Sequence, residues 1–584
     1  MRKMSLWVIL WGGLLAGTLY ADRQKVSEDL ADELGQSGTT VDVIVQYKND
    51  PSDAQIAQFT GKGAKLKDHL KRFRAASFTA PAATIDALSD DPNVVYVSAD
   101  RQVSAQFDYS EQTINAPSAW QIGLDGTGVG IALVDSGVAK HNDLEQANSH
   151  KSRVVYREVL NGRNGEVANG RDGEANGRNG DQYGHGTHVA GIVAGNGKSS
   201  TGPGFTTTFK GVAPNANIID LEVLDNHGMT TDSVVIKAIH RAIDLKERYN
   251  IRVLNLSLGR PVYESSQIDP LCQAVKTAWN AGIVVVVSAG NLGRNSYASI
   301  LSPGNSPYAI TVGAMKTMGT AARGDDQVAS YSSKGPTWID MTVKPDLVAP
   351  GNQVVSLYAP GSTLARTYPQ NVVPVSSYST GKNGKADYFT LSGTSMATPM
   401  VSGAAALLIQ NEPQITPDTV KARLMKTASK GFPATSVAVD PVTGQVYTSQ
   451  YDIFTIGAGY LDIMGALASH DVANGGTQSP AVFYDSASGN AYVIQNNVAV
   501  WGTVSVWGTV AVWGTNVASD TGLPVYGNVA VWGTSAPSGS VAVWGTVAVW
   551  GTRGAWGNVA VWGTVAVWGT VAVWGTDLLP GGEN

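Results

Sequence analysis

Between residues 108 and 470 the sequence alternates short, nearly unbroken aliphatic runs with stretches of helical periodicity. That alternation constrains the fold more than any other feature. The runs are GVGIALVDSG (128–137), ANIIDLEVL (216–224), IRVLNLSLG (251–259) and GIVVVVSAGN (282–291). A strand with one wet face alternates apolar and polar residues, whereas a strand that is Val or Ile at almost every position is buried on both faces. Helical segments between such strands cover the two faces, so the stretch is predicted as an α/β domain, a mostly parallel sheet with helices on both sides. In sheets of this kind chemistry gathers at the carboxyl ends of the strands. The polar residues that close the runs are therefore the candidates for function.

Asp135 closes the first run and Asn291 the last. His185, in YGHGTHVAGIVAG, and Ser395, in LSGTSMATPMVSGAAALL, each open a helix of small residues. Any one of the four alone reads as a capping residue. Together they are the set that acyl transfer requires. A serine hydroxyl needs a base to take its proton as it attacks, and His185 can be that base and later the acid. A buried Asp135 would fix the imidazole tautomer and stabilise the imidazolium. The oxyanion of the tetrahedral intermediate needs donors already in place, which the Asn291 amide and the Ser395 backbone N–H can supply.

The order Asp135, His185, Asn291, Ser395, set in VDSGV, GHGTHVAG, SAGN and GTSMATP, resembles the subtilisin-like serine peptidases. The resemblance continues through KGVAPNANIIDLEVLDNHG (210–228), SPGNSPYAITVGA (302–314), VKPDLVAPG (343–351) and GAGYLDIMGALA (457–468). It implies a serine endopeptidase that needs no cofactor for its chemistry and acts on protein and peptide substrates. It further implies that Ser257, Leu258 and Gly259 form one wall of the substrate pocket, with Leu301 near its floor. Gly228, Met229 and Thr230 would be an edge strand that pairs with extended substrate. Asp143, in HNDL, falls where relatives supply a carboxylate to structural calcium, although the expanded loop NGKSSTGPGFTTTFKG (196–211) leaves the other ligands unmatched.

The rest of the chain is organised around this domain. Residues 1–21 have the form of a signal peptide, Arg2 and Lys3 followed by an apolar stretch too short to span a bilayer. Residues 22–107 resemble the family's propeptide, a small α+β module that chaperones folding, inhibits the enzyme and is removed by it, with cleavage expected between Ser104 and Ser110. Within it, 51–74 reads as helical, its Lys and Arg cluster on a solvated face. An Asn-Gly-Arg repeat between 161 and 184 departs from the family and reads as a surface loop. Cys272 is the only cysteine and reads as a small core residue, which leaves no disulfide; His188 reads as structural, since no HExxH zinc pattern accompanies it. A net charge of −6 gives no footprint for nucleic acid.

After a linker at 471–497, residues 498–576 repeat the word VAVWGT and hold ten of the fifteen tryptophans; 577–584 end the chain. Six is a multiple of the strand period of two, so every copy keeps its Trp on one face of a continuous strand. An all-β repeat follows, either a solenoid with three hexads per coil or a set of hairpins. Such a tail would self-associate, anchor the protein, or bind a polysaccharide or cell surface. The expectation is a secreted, self-processed peptidase. The competing reading is a catalytically idle scaffold or adhesin whose tail is the working part.

Overall fold

The structure is a computed structural model. It describes residues 40–100, 102–105, 116–161 and 180–473, apart from short gaps at 295, 319–322, 381–383, 434 and 440–444. It also describes 25–27, 30, 31, 34, 476–485, 490–494 and strands between 510 and 568. The segment expected to be a signal peptide, the region expected to be cleaved beyond Ala105 and most of the Asn-Gly-Arg repeat lie outside the described residues. The chain divides into two compact units, Met1–Ala99 and Asp100–Asn584.

The first unit is a four-stranded antiparallel sheet with strands β1 (Thr40–Tyr47), β2 (Lys65–Leu70), β3 (Ala75–Pro81) and β4 (Val94–Ala99) in the order β2-β3-β1-β4. Helices α1 (Asp53–Thr60) and α2 (Ala82–Ser89) contribute Phe59, Ile85 and Leu88 to its core, with Val43, Val45, Phe78 and Val97 from the sheet. The helical reading of 51–74 holds only as far as Thr60. Gly61 and Gly63 interrupt the helix, and Lys65–Leu70 pairs with β3 as an edge strand. The lysines there guard an exposed sheet edge against further pairing.

In the second unit the aliphatic runs become the predicted sheet. Its strands are β6 (Gly130–Asp135), β7 (Val154–Val159), β8 (Asn217–Glu222), β10 (Ile251–Leu256), β12 (Val284–Ser288), β13 (Ile310–Lys316), β14 (Gln327–Val328) and β15 (Leu347–Pro350). They run in the order β14-β13-β12-β10-β6-β8-β7, with β15 also on β13. All pairs are parallel except β13 with β14. Every residue of β6 and β12 is buried, as a two-sided cover requires. A second, three-stranded antiparallel sheet sets β5 (Gln102–Ala105) between β9 (Met229–Thr231) and β11 (Leu258–Gly259).

Four helices matter for the site: α3 (His185–Ala194), α4 (Asp232–Tyr249), α5 (Pro270–Asn280) and α6 (Thr394–Asn411). Helix α6 is buried from Thr394 to Ile409 and must be built of small residues. A Cβ on Gly403 would lie 2.5 Å from Val212 Cβ. Helix α3 packs against it under the same constraint. Among the described residues no helix is long and apolar enough to cross a membrane.

The stretch read as a linker is stitched to the second unit over its first part. Val343 N–H donates to the Pro480 carbonyl and Val482 N–H to that of Met341. Ser479 Oγ donates to Asp346 at 2.5 Å. In the tail, four-residue strands pair in parallel rather than as hairpins. Val529, Val547 and Val565 follow one another in register at a spacing of 18 residues, one strand in every third hexad. Val541 and Val559 start a second ladder with the same step.

Candidate active site

Strand β6 ends at Asp135, whose Oδ1 accepts from the Ser136 N–H at 2.8 Å and lies 2.7 Å from His185 Nδ1. Both side chains are fully buried. A carboxylate at Nδ1 fixes the proton there and leaves Nε2 as the basic nitrogen. His185 is the first residue of α3, and its approach to Asp135 requires glycine next door: a Cβ on Gly186 would lie 2.2 Å from the Gly137 carbonyl oxygen.

The turn that delivers His185 is built on one carboxylate. Asp181 Oδ1 accepts from Tyr183 N at 3.1 Å, Gly184 N at 2.7 Å and Ser136 Oγ at 2.9 Å. Its Oδ2 accepts from Thr187 N at 2.8 Å and Thr187 Oγ1 at 2.6 Å. Asp181 thus caps the start of α3 and ties it to the loop after β6. Burial pushes its carboxyl up to about 6 even against these donors.

Ser395 is the second residue of α6, and Pro399 stands four residues on, inside the helix. A proline has no N–H to return to the carbonyl four residues back. The Ser257 hydroxyl donates to that Ser395 carbonyl at 2.9 Å, and Ser395 Oγ donates to the Ser257 carbonyl at 3.1 Å. Asn255 Nδ2 donates to Ser257 Oγ, and Ser402 Oγ to Asn255 Oδ1, extending a buried chain back into α6. GTSMATP therefore carries a loosened first turn, which the strand beside it completes.

Asn291 is pinned by its oxygen, which accepts from Thr394 N at 3.0 Å and Thr394 Oγ1 at 3.1 Å. Its Nδ2 is buried and meets no acceptor among the described residues. That places a spare donor beside the residue that precedes Ser395, the arrangement an oxyanion needs.

The other sequence candidates divide. Leu258 and Gly259 form β11, opposite Ala105 and Ser104, while Ser257 just before it faces Ser395. Met229 and Thr230 lie in β9, and Thr231, which the sequence reading did not include, completes the ladder. Gly228 stays outside it; with φ +76 and the Tyr183 ring 2.3 Å from a built Cβ, it makes the turn into the strand. Leu301 packs on Gly259 and Gly290. His188 donates from Nε2 to the carbonyls of Val354 and Phe389, and burial pushes its pKa down to about 3, as a structural neutral histidine requires.

Asp143 does not fit a calcium ion. Its Oδ1 accepts from Ser199 N at 2.6 Å and its Oδ2 from Tyr388 Oη at 2.7 Å. Among the described residues no group of three or more His, Cys, Asp or Glu could hold a metal. The expanded loop at 196–211 brings its own donor to the carboxylate, and a tyrosine hydroxyl supplies the other.

The sequence signature of the subtilase family matches residues 126–447. The chain belongs to the subtilase family. This subtilase is 37% identical to the serine protease AprX of Bacillus subtilis over 378 residues, 63% of this chain and 77% of the relative. With subtilisin E of the same organism it shares 31% over 438 residues, 74% of this chain and 95% of the relative. With thermitase of Thermoactinomyces vulgaris it shares 34% over 328 residues, 55% and 88% respectively. Among solved structures it is similar in fold to fervidolysin from Fervidobacterium pennivorans, a keratinolytic enzyme related to subtilisin, with a TM-score of 0.52 at 22% identity. That likeness covers 74% of this chain and 61% of fervidolysin. The chain is a subtilisin-type serine endopeptidase.

Proposed function

We propose that this subtilase is an exported endopeptidase that processes itself and works through an acyl-enzyme on Ser395. His185 takes the Ser395 proton as the hydroxyl attacks the scissile carbonyl and delivers it to the leaving amine; water then repeats the sequence to release the acid. Asp135 holds the imidazole and stabilises its charged form. The Asn291 amide and the Ser395 N–H take the oxyanion. The reading is carried by the convergence at the start of α6, where Ser395 is gripped through Ser257 and the spare Asn291 donor is held by Thr394.

Substrate lies as an extended strand between β9 and β11, recognised first by its backbone and then by the Leu301-floored pocket. The antiparallel pairing of Gln102–Ala105 with both strands supports this, and supports residues 22–107 as an inhibitory propeptide whose end occupies the cleft. The Asp100 carboxylate adds an anchor, accepting from Ser233 N at 2.7 Å at the start of α4. The tail holds the enzyme to a surface or to copies of itself. The decisive experiment is Ser395→Ala in the full-length chain. Expected is loss of both casein hydrolysis and propeptide removal; active secreted enzyme that begins at Asp22 overturns the self-processing reading. For the tail, the same inactive chain should sediment with chitin, cellulose or peptidoglycan, or self-associate, and do neither when truncated after residue 497.

A further inference from the structure

Strands β9 and β11 never pair with each other; they are neighbours only through the strand between them. Adjacent strands stand about 4.8 Å apart, so the two edges face each other across a slot about 9–10 Å wide. Once β5 leaves, no ladder fixes that width. The edges themselves are short, three residues in β9 and two in β11, and cannot be rigid on their own account.

The residue after each edge is half of a buried ion pair. Asp232 follows β9 and Arg260 follows β11, with side chains 0% and 1% exposed. Arg260 Nε donates to Asp232 Oδ1 at 3.0 Å and Nη2 lies 3.0 Å from Oδ2. Nη2 also donates to Asp269 at 2.9 Å and Nη1 to the Pro261 carbonyl at 3.0 Å. Asp269 in turn caps α5 and accepts from Ser302 Oγ at 2.8 Å. Arg260 and Ser302 exchange backbone hydrogen bonds at 2.9 and 2.8 Å. Ser302 follows Leu301, which packs on Gly259. One planar side chain thus reaches both edges of the slot and the loop that floors its pocket.

A buried ion pair adds little net stability compared with an apolar core of the same volume, because desolvation offsets the Coulomb gain. What a guanidinium held by two carboxylates supplies is fixed distance and orientation. We propose that Arg260, clasped by Asp232 and Asp269, is a positioning residue that sets the width and register of the slot for an extended substrate. Built on the reading of β9 and β11 as the substrate edges, the proposal assigns to Arg260 the reason that the empty slot stays open by one strand.

Arg260→Ala would leave Asp232, Asp269 and Glu264 buried around a lost cation and is a poor test, since it threatens folding. Asp232→Asn removes the charge and one of the two acceptors on the β9 side alone and leaves Arg260 on Asp269. Arg260→Lys keeps the charge and gives up the planar fork. Each variant is assayed as processed full-length enzyme, with active sites counted by a sulfonyl fluoride, on a tetrapeptide anilide and on a single-residue acetyl ester. Both variants are expected to lose about tenfold in kcat/KM on the tetrapeptide, carried by KM, and to stay within about twofold of the parent on the ester. Equal losses on the two substrates, or none on the tetrapeptide, overturn the clasp. A parent enzyme that gains nothing from the tetrapeptide anilide over a single-residue anilide overturns the substrate-edge reading and the clasp with it.

Discussion

Ser257 and Ser395 are joined twice, each hydroxyl donating to the other's carbonyl, at 2.9 and 3.1 Å. One partner belongs to the proposed pocket wall and the other is the proposed nucleophile, so on that reading recognition and chemistry share one joint. Ser257→Ala removes the donor that completes the first turn of α6 and leaves a buried carbonyl short of a partner. A loss of about 1–3 kcal/mol in transition-state stabilisation is expected. It should appear in kcat with KM little changed; a rise in KM alone would place Ser257 in binding only.

Pro399→Ala tests the same joint from the other side. Alanine restores an N–H four residues after Ser395, which competes with Ser257 for the Ser395 carbonyl. The helix gains intrinsic propensity, up to about 3 kcal/mol in an exposed setting. The expected result is an unchanged or higher Tm together with a lower kcat, read by melting of the inhibited enzyme and by steady-state kinetics.

Asn291→Ala deletes the spare donor together with the oxygen that accepts from Thr394 N and Oγ1, so melting of the inhibited variant is read beside its kinetics. Expected is a fall in kcat of roughly 10²–10³-fold with KM within about threefold. A loss below about fivefold would leave the oxyanion to other donors.

Asp181 gives a pH signature. Its carboxyl titrates at about 6 in the fold against 3.8 unfolded. A raised acid favours the folded state when protonated, so its contribution is complete below about pH 3.8 and is lost as pH rises through about 6, worth at most about 3 kcal/mol. In a Ser395→Ala background, Asp181→Asn should flatten the fall of stability between pH 4 and 6, measured by urea unfolding. An unaltered slope would deny the carboxyl its shift.

Tyr388→Phe removes the hydroxyl that occupies Asp143 Oδ2. A buried carboxylate oxygen left short of a donor costs about 1–3 kcal/mol, a drop of several degrees in Tm. The parent enzyme should melt at one temperature with and without a chelator at this site, and added calcium should not restore the variant. Restoration by calcium would return Asp143 to a metal role.

The sheet was legible because valine runs have one reading when both faces are covered, and β6, β10 and β12 fall inside the predicted stretches. The four polar residues at strand and helix ends stood out as candidates because acyl transfer needs those groups. What stayed hidden depends on long-range pairing. Tyr388 meets Asp143 across 245 residues, and Arg260 meets Asp232 across 28, from the ends of two short strands that do not pair with each other. Lys65–Leu70 misled because a charged edge strand and a solvated helix share a composition, and only the partner strand β3 separates them. The Pro399 signal was local and readable, yet its meaning required knowing which hydroxyl answers the freed carbonyl.

The tail's step of 18 residues makes its length a counting problem. A step of 18 residues is three hexads, so gain or loss of three VAVWGT copies would add or remove one rung of a ladder, about 4.8 Å, and keep its register. Copy number alone would then set the length of the ladders, without a change in the peptidase domain.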